Sequence, residues 1–89
     1  MDLGIAGKRA LVLAAGGGLG SVIATTLAKE GAHLLITDVD AGGLNQVRTD
    51  ISAIGASRVE THPCDLSRAA DIDALCDKAQ SAFGGIDIL

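Results

Sequence analysis

The stretch from Arg9 to Asp38, RALVLAAGGGLGSVIATTLAKEGAHLLITD, decides the fold. An apolar run, Ala10 to Ala15, has strand length and ends in a cluster of glycines at 16, 17, 18 and 20. Leu19, Val22, Ile23 and Leu27 then fall on one face of a helix, which is expected to be its buried face. Gly31 supplies a helix stop. A second apolar run, His33 to Thr37, ends in Asp38. The pattern predicts strand, helix, strand, with a glycine-rich first turn and an acid at the tip of the second strand.

That arrangement has a chemical use. Backbone N–H groups at a helix N-terminus attract phosphate, and an acid roughly 20 residues further on can accept hydrogen bonds from ribose hydroxyls. The residues that would take those roles are Ala14, Gly16, Gly17, Gly18, Leu19 and Gly20 in the turn, with Asp38 and Val39 after the second strand. Asp38 would repel a 2′-phosphate, and no Arg or Lys stands in the glycine loop or just after Asp38. The expected cofactor is therefore NAD in preference to NADP.

Working outward, residues 1–8 read as a lead-in to the first strand. Asp40 is a candidate N-cap for a second helix, whose buried face is Leu44, Val47, Ile51 and Ile54 and whose stop is Gly55. Gly42 and Gly43 weaken its first turn by about 1 kcal/mol each. A third strand falls at Arg58 to His62, or 57–62 at its widest, and Pro63 closes it. Cys64-Asp65-Leu66-Ser67 leads into a third helix, with Ser67 as its N-cap and Ile72, Leu75, Cys76, Ala79 and Phe83 as its buried face. Gly84-Gly85 ends that helix, and residues 86–89 begin a fourth strand. The order β-α-β-α-β-α-β predicts an α/β, Rossmann-type doubly wound parallel sheet with strand order 3-2-1-4 and right-handed crossovers. Two helices should cover one face and the third the other. Residues 1–89 are then expected to be the N-terminal, dinucleotide-binding half of such a domain. Alone it should be poorly stable as a monomer, because Ile86, Ile88 and Leu89 would lack covering layers.

Composition narrows the alternatives. The chain has 89 residues, enough for one small domain, and 48% of them are hydrophobic, which supplies a core. Its 7 Lys and Arg are scattered against 11 Asp and Glu, for a net charge of −4, which argues against a nucleic-acid partner. Cys64 and Cys76 form no metal or redox motif, and both are expected to be buried thiols. His33 and His62 have no ligand-forming neighbours in sequence and read as structural. No apolar run approaches membrane-spanning length and no signal peptide is visible, so a reducing cytosol is the expected compartment.

The turn Ala14-x-x-x-Gly18-Leu19-Gly20 resembles that of the short-chain dehydrogenase/reductase family, Thr-Gly-x-x-x-Gly-Ile-Gly. Leu13 stands at the family's Thr and Ala14 at its first Gly. Three further segments are similar in the same order: Leu27 to Ala32, Cys64-Asp65-Leu66-Ser67, and Ala82 to Leu89. The nearest group is the one that includes 3-oxoacyl-carrier-protein reductases. The resemblance implies hydride transfer between a nicotinamide cofactor and a carbonyl or alcohol carbon of a small molecule, in a homo-oligomer. It also implies an adenine contact from Asp65, with Leu66 beside it. The family's catalytic Ser, Tyr and Lys have no counterparts here, and the chain contains no Tyr, so no turnover is expected from this chain alone. A methyltransferase using S-adenosylmethionine shares the glycine turn and the acids after the second and third strands, but fits Phe83 to Leu89 less well. A non-catalytic nucleotide-binding fragment is the third reading, and Ala14 favours it. If residue 14 needs a positive φ, its Cβ costs roughly 1–2 kcal/mol.

Overall fold

The computed structural model describes residues 4–55 and 58–89. The start of the lead-in, residues 1–3, and Ser57 at the widest bound of the third strand lie outside the described residues. Strand β1 spans Arg9–Val12, helix α1 Gly18–Lys29, β2 His33–Ile36, α2 Ala41–Ile54, β3 Val59–Thr61 and α3 Ala69–Phe83. β2 is central and parallel to both neighbours, with Arg9 opposite His33 on one side and Leu34 opposite Val59 on the other. On the far edge of β1, Ala10 makes an isolated parallel bridge to Ile88. The strand order is thus 3-2-1, and the fourth position is held by one bridge rather than a strand over 86–89.

The strands are shorter than the apolar runs that suggested them. β1 stops at Val12, because the chain enters a turn at Leu13. Bonding to the second strand nevertheless continues, with Thr37 N–H donating to the Val12 carbonyl at 3.1 Å and Ala15 N–H to the Thr37 carbonyl at 3.0 Å.

The central strand is apolar throughout because both of its faces are covered. Leu34 and Ile36 pack on one side with Ala24, Ala28, Leu44, Val47 and Ile51, beneath α1 and α2. Leu35 packs on the other with Cys64, Leu75 and Ala79, beneath α3. The expected division of helices between faces holds, as does the buried face of α2.

The expected face of α1 holds only at Leu27, which is partly buried against the core beneath α1 and α2. Leu19, Val22 and Ile23 are 76%, 61% and 44% exposed, while Ala24 and Ala28 are fully buried. The reason is proximity. A Cβ on Gly20 would lie 2.1 Å from the Ala14 carbonyl oxygen, so the helix starts hard against the turn. Gly20, Ala24 and Ala28 recur every four residues, and this small-residue stripe lets α1 lie close to the sheet.

On α3, Leu75 and Ala79 face the core, but Ile72 and Cys76 are exposed, which corrects two of the expected core positions. Arg68, not Ser67, is the residue preceding the first turn, because Ser67 turns back to Asp65. Asp40 caps α2 by accepting from Gly43 N–H at 3.2 Å, and Gly55 and Gly84 end α2 and α3 in the left-handed conformation. Ile86 and Ile88 are partly buried, one against each core cluster, and Leu89 is exposed. No helix among the described residues is long and apolar enough to cross a membrane.

Candidate functional site

A cleft of about 440 Å³ opens beyond the C-terminal ends of β1 and β2. Ala14, Thr37, Asp38 and Val39 form one side, and Cys64, Asp65, Leu66 and Ser67 the other. Five of the residues singled out from sequence, Ala14, Asp38, Val39, Asp65 and Leu66, therefore converge on one space. Gly16, Gly17, Gly18, Leu19 and Gly20 do not line it. They form the loop and first helical turn alongside.

The loop is fixed by backbone geometry. Ala14 sits at φ 55°, a conformation that costs a residue with a Cβ roughly 1–2 kcal/mol. Its carbonyl accepts from Gly17 N–H at 3.2 Å and lies where a side chain at position 20 would be. Gly17 precedes α1 in extended conformation and offers no side-chain cap. The amides of Gly18, Leu19 and Gly20 consequently find no acceptor among the described residues. An uncapped helix start of this kind presents N–H groups and a partial positive charge to an anion.

Asp38 stands where the loop meets the second strand. Its Oδ2 accepts from Gly16 N–H at 3.0 Å, and its Oδ1 from Asp40 N–H at 3.0 Å. A carboxylate has about four lone-pair positions, so each oxygen keeps one to offer. Across the cleft, Asp65 Oδ1 accepts from both the amide and the hydroxyl of Ser67, at 2.9 and 2.6 Å. Those bonds hold the Asp65 carboxyl below its ordinary range. Asp65 N–H donates to Asp71 Oδ2 at 3.0 Å, which ties this wall to the first turn of α3.

Thr37, Cys64 and Ser67 were not expected at this site, although each lies within two residues of an acid that was. Thr37 is buried and its hydroxyl donates to the His62 carbonyl, joining the ends of β2 and β3. Burial, followed by the nearby Asp71 and Asp65 carboxylates, pushes the Cys64 thiol upward, the direction of a buried wall residue rather than of a nucleophile. His33 accepts at Nδ1 from Arg58 N–H at 3.1 Å.

A parallel sheet that turns through a glycine loop onto an uncapped helix, with an acid at the tip of the next strand, defines a doubly wound α/β domain with its cleft at the strand ends. The chain belongs to the short chain dehydrogenase family, whose model matches residues 8–89. It is 35% identical over 88 residues to the 7alpha-hydroxysteroid dehydrogenase of Escherichia coli K12, a match covering 99% of this chain and 34% of that protein. The L-sorbose reductase of Gluconobacter frateurii, solved with NADPH and L-sorbose, superposes with a TM-score of 0.92 at 31% identity, over 99% of this chain and 34% of that one. A short chain dehydrogenase/reductase from Burkholderia phymatum, solved with NAD, gives 0.87 at 33% identity, over 94% and 30%. The chain spans about a third of the length of these relatives. Family membership sets aside the methyltransferase alternative.

Proposed function

We propose that this chain is the dinucleotide-holding part of a short-chain oxidoreductase that prefers NAD(H) and acts on a carbonyl or alcohol carbon of a small molecule. The carrying observation is the Asp38 carboxylate, oriented at the cleft by two backbone amides and with acceptor capacity to spare. Its remaining lone pairs suit the two hydroxyls of an adenosine ribose, and its charge disfavours a 2′-phosphate in the same place. The open amides of Gly18, Leu19 and Gly20 suit a pyrophosphate. Asp65, with Val39 and Leu66 as apolar walls, suits the adenine and its amino group. Ala14, Gly16 and Gly17 shape the loop between the ribose and the phosphates.

A bound nicotinamide cofactor supplies hydride chemistry; the residues of this chain bind and orient it. Proton transfer to the substrate oxygen needs a positioned donor, which this reading assigns to the Ser, Tyr and Lys that the family resemblance implies and that have no counterparts in this chain. The solved relatives include complexes with NADPH, NADP and NAD, so cofactor choice is the part of the proposal that Asp38 alone carries. The test is the ratio of kcat/KM for NAD(H) to that for NADP(H) in the intact protein, before and after Asp38→Ala. The ratio should favour NAD(H) and fall by about tenfold or more in the variant, one charge–phosphate repulsion being worth at least 1.4 kcal/mol in a partly desolvated cleft. Preference for NADP(H) in the unmodified protein would overturn the assignment.

A further inference from the structure

We propose that Gly43, in the first turn of α2, is the residue that positions Asp38; this rests on the assignment of Asp38 to the cofactor ribose. The contacts around Asp38 form a closed ring. Gly16 N–H donates to Asp38 Oδ2 at 3.0 Å, Asp40 N–H donates to Asp38 Oδ1 at 3.0 Å, and Gly43 N–H donates to Asp40 Oδ1 at 3.2 Å. The ring closes by van der Waals contact, where α2 lies against the glycine loop. A Cβ on Gly43 would stand 3.1 Å from the Gly16 oxygen, 3.3 Å from the Gly16 Cα and 3.0 Å from Asp40 Oδ2.

Two of those three atoms are backbone of the loop, and the third belongs to the carboxylate that caps the helix. A methyl group there must move the loop away from α2 by a few tenths of an ångström, and the Gly16 N–H that orients Asp38 moves with it. Gly16 itself has little slack, since a Cβ on it would meet Asp38 Oδ2 at 3.2 Å. The adjacent Gly42 is a built-in control. A Cβ there meets only Asp40 Oδ1, at an ordinary 3.4 Å. Both glycines weaken the helix alike, but only Gly43 lies against the loop.

The experiment compares Gly42→Ala and Gly43→Ala in the intact protein. KM for NAD should rise roughly fivefold in Gly43→Ala with kcat unchanged, since a displaced Asp38 weakens the hold on the ribose equally in ground and transition states. Gly42→Ala should keep both constants. Alanine at either position strengthens the helix itself, so an effect acting through helix stability alone would appear alike in both variants and would leave KM unchanged. The second measurement is the Gly16 amide resonance and its hydrogen exchange, with and without NAD. It should shift and exchange faster in Gly43→Ala only, in both conditions. If the unmodified protein does not use NAD, the ribose assignment falls, and the Gly16 amide alone decides whether Gly43 sets the ring. Indistinguishable behaviour of the two variants, in KM or at the Gly16 amide, overturns the proposal.

Discussion

Along one edge, β1 meets β2 over the four pairs from Arg9–His33 to Val12–Ile36, beside the fully buried Leu34, Ile36 and Ile51. Along the other edge its backbone meets only Asp87 and Ile88 among the described residues, through Leu11 N–H to the Ile88 carbonyl at 2.8 Å and the Asp87 and Ile88 N–H groups to the Arg9 carbonyl at 2.8 and 2.9 Å. What secures the second edge is polar. Arg9 donates from Nε to Asp87 Oδ2 and from Nη2 to Asp87 Oδ1, both at 3.0 Å, while its Nη1 donates to the Phe83 carbonyl. The same strand is thus held by burial on one side and by a forked ion pair on the other. Burial is insensitive to pH and scales with lost volume. A partly exposed pair responds to protonation and salt and contributes less.

The largest expected effect tests the buried edge. Leu34→Ala should destabilise the protein by about 3 kcal/mol in denaturant unfolding, as the transfer and cavity terms for a fully buried leucine require. Ile88→Ala should cost about 1 kcal/mol, because that side chain is only partly buried. Equal losses at the two positions would erase the distinction between the edges.

A smaller effect, of opposite sign, comes where the buried edge ends. Ala14 follows the Val12–Thr37 bond and is held at φ 55°. Ala14→Gly should raise stability by about 1 kcal/mol, the relief of left-handed strain less the added freedom of glycine in the unfolded chain. A fall in the unfolding midpoint would mean that the turn draws more from the Ala14 methyl than it loses to strain.

The smallest effect belongs to the polar edge and is recognised by its pH dependence, a loss near neutrality that disappears in acid. The Arg9 guanidinium and backbone amide hold the Asp87 carboxyl far below the usual range. A carboxyl lowered in the folded state contributes fully above its unfolded pKa, and the contribution drains as pH falls below about 4. Asp87→Asn should therefore lower stability by a small, constant offset near neutrality and flatten the acid limb of the stability profile. Leu34→Ala should displace the whole profile without altering its shape. An unchanged acid limb in Asp87→Asn would show that the ion pair does not hold this edge.

Much of this architecture is local chemistry, which is why the sequence by itself determined it. The order of elements, the Asp40 cap, the stops at Gly31, Gly55 and Gly84 and the placing of Asp38 after the second strand all depend on a few adjacent residues and their intrinsic conformational preferences. The buried face of α2 was legible because one periodic apolar stripe had one sheet to face. Tertiary structure decided the rest. The face of α1 is set by how close the helix must come to the turn. The nearest layer therefore belongs to Gly20, Ala24 and Ala28, and the larger Leu19, Val22 and Ile23 are displaced outward. Cys76 shares its periodicity with Leu75 and Ala79, but one helix on a narrow face covers fewer positions than its apolar stripe offers. Arg9 with Asp87, and Gly43 with Gly16, are contacts between residues distant in the chain. No spacing rule reaches across such separations; only the packing of strands and helices brings those atoms within bonding distance.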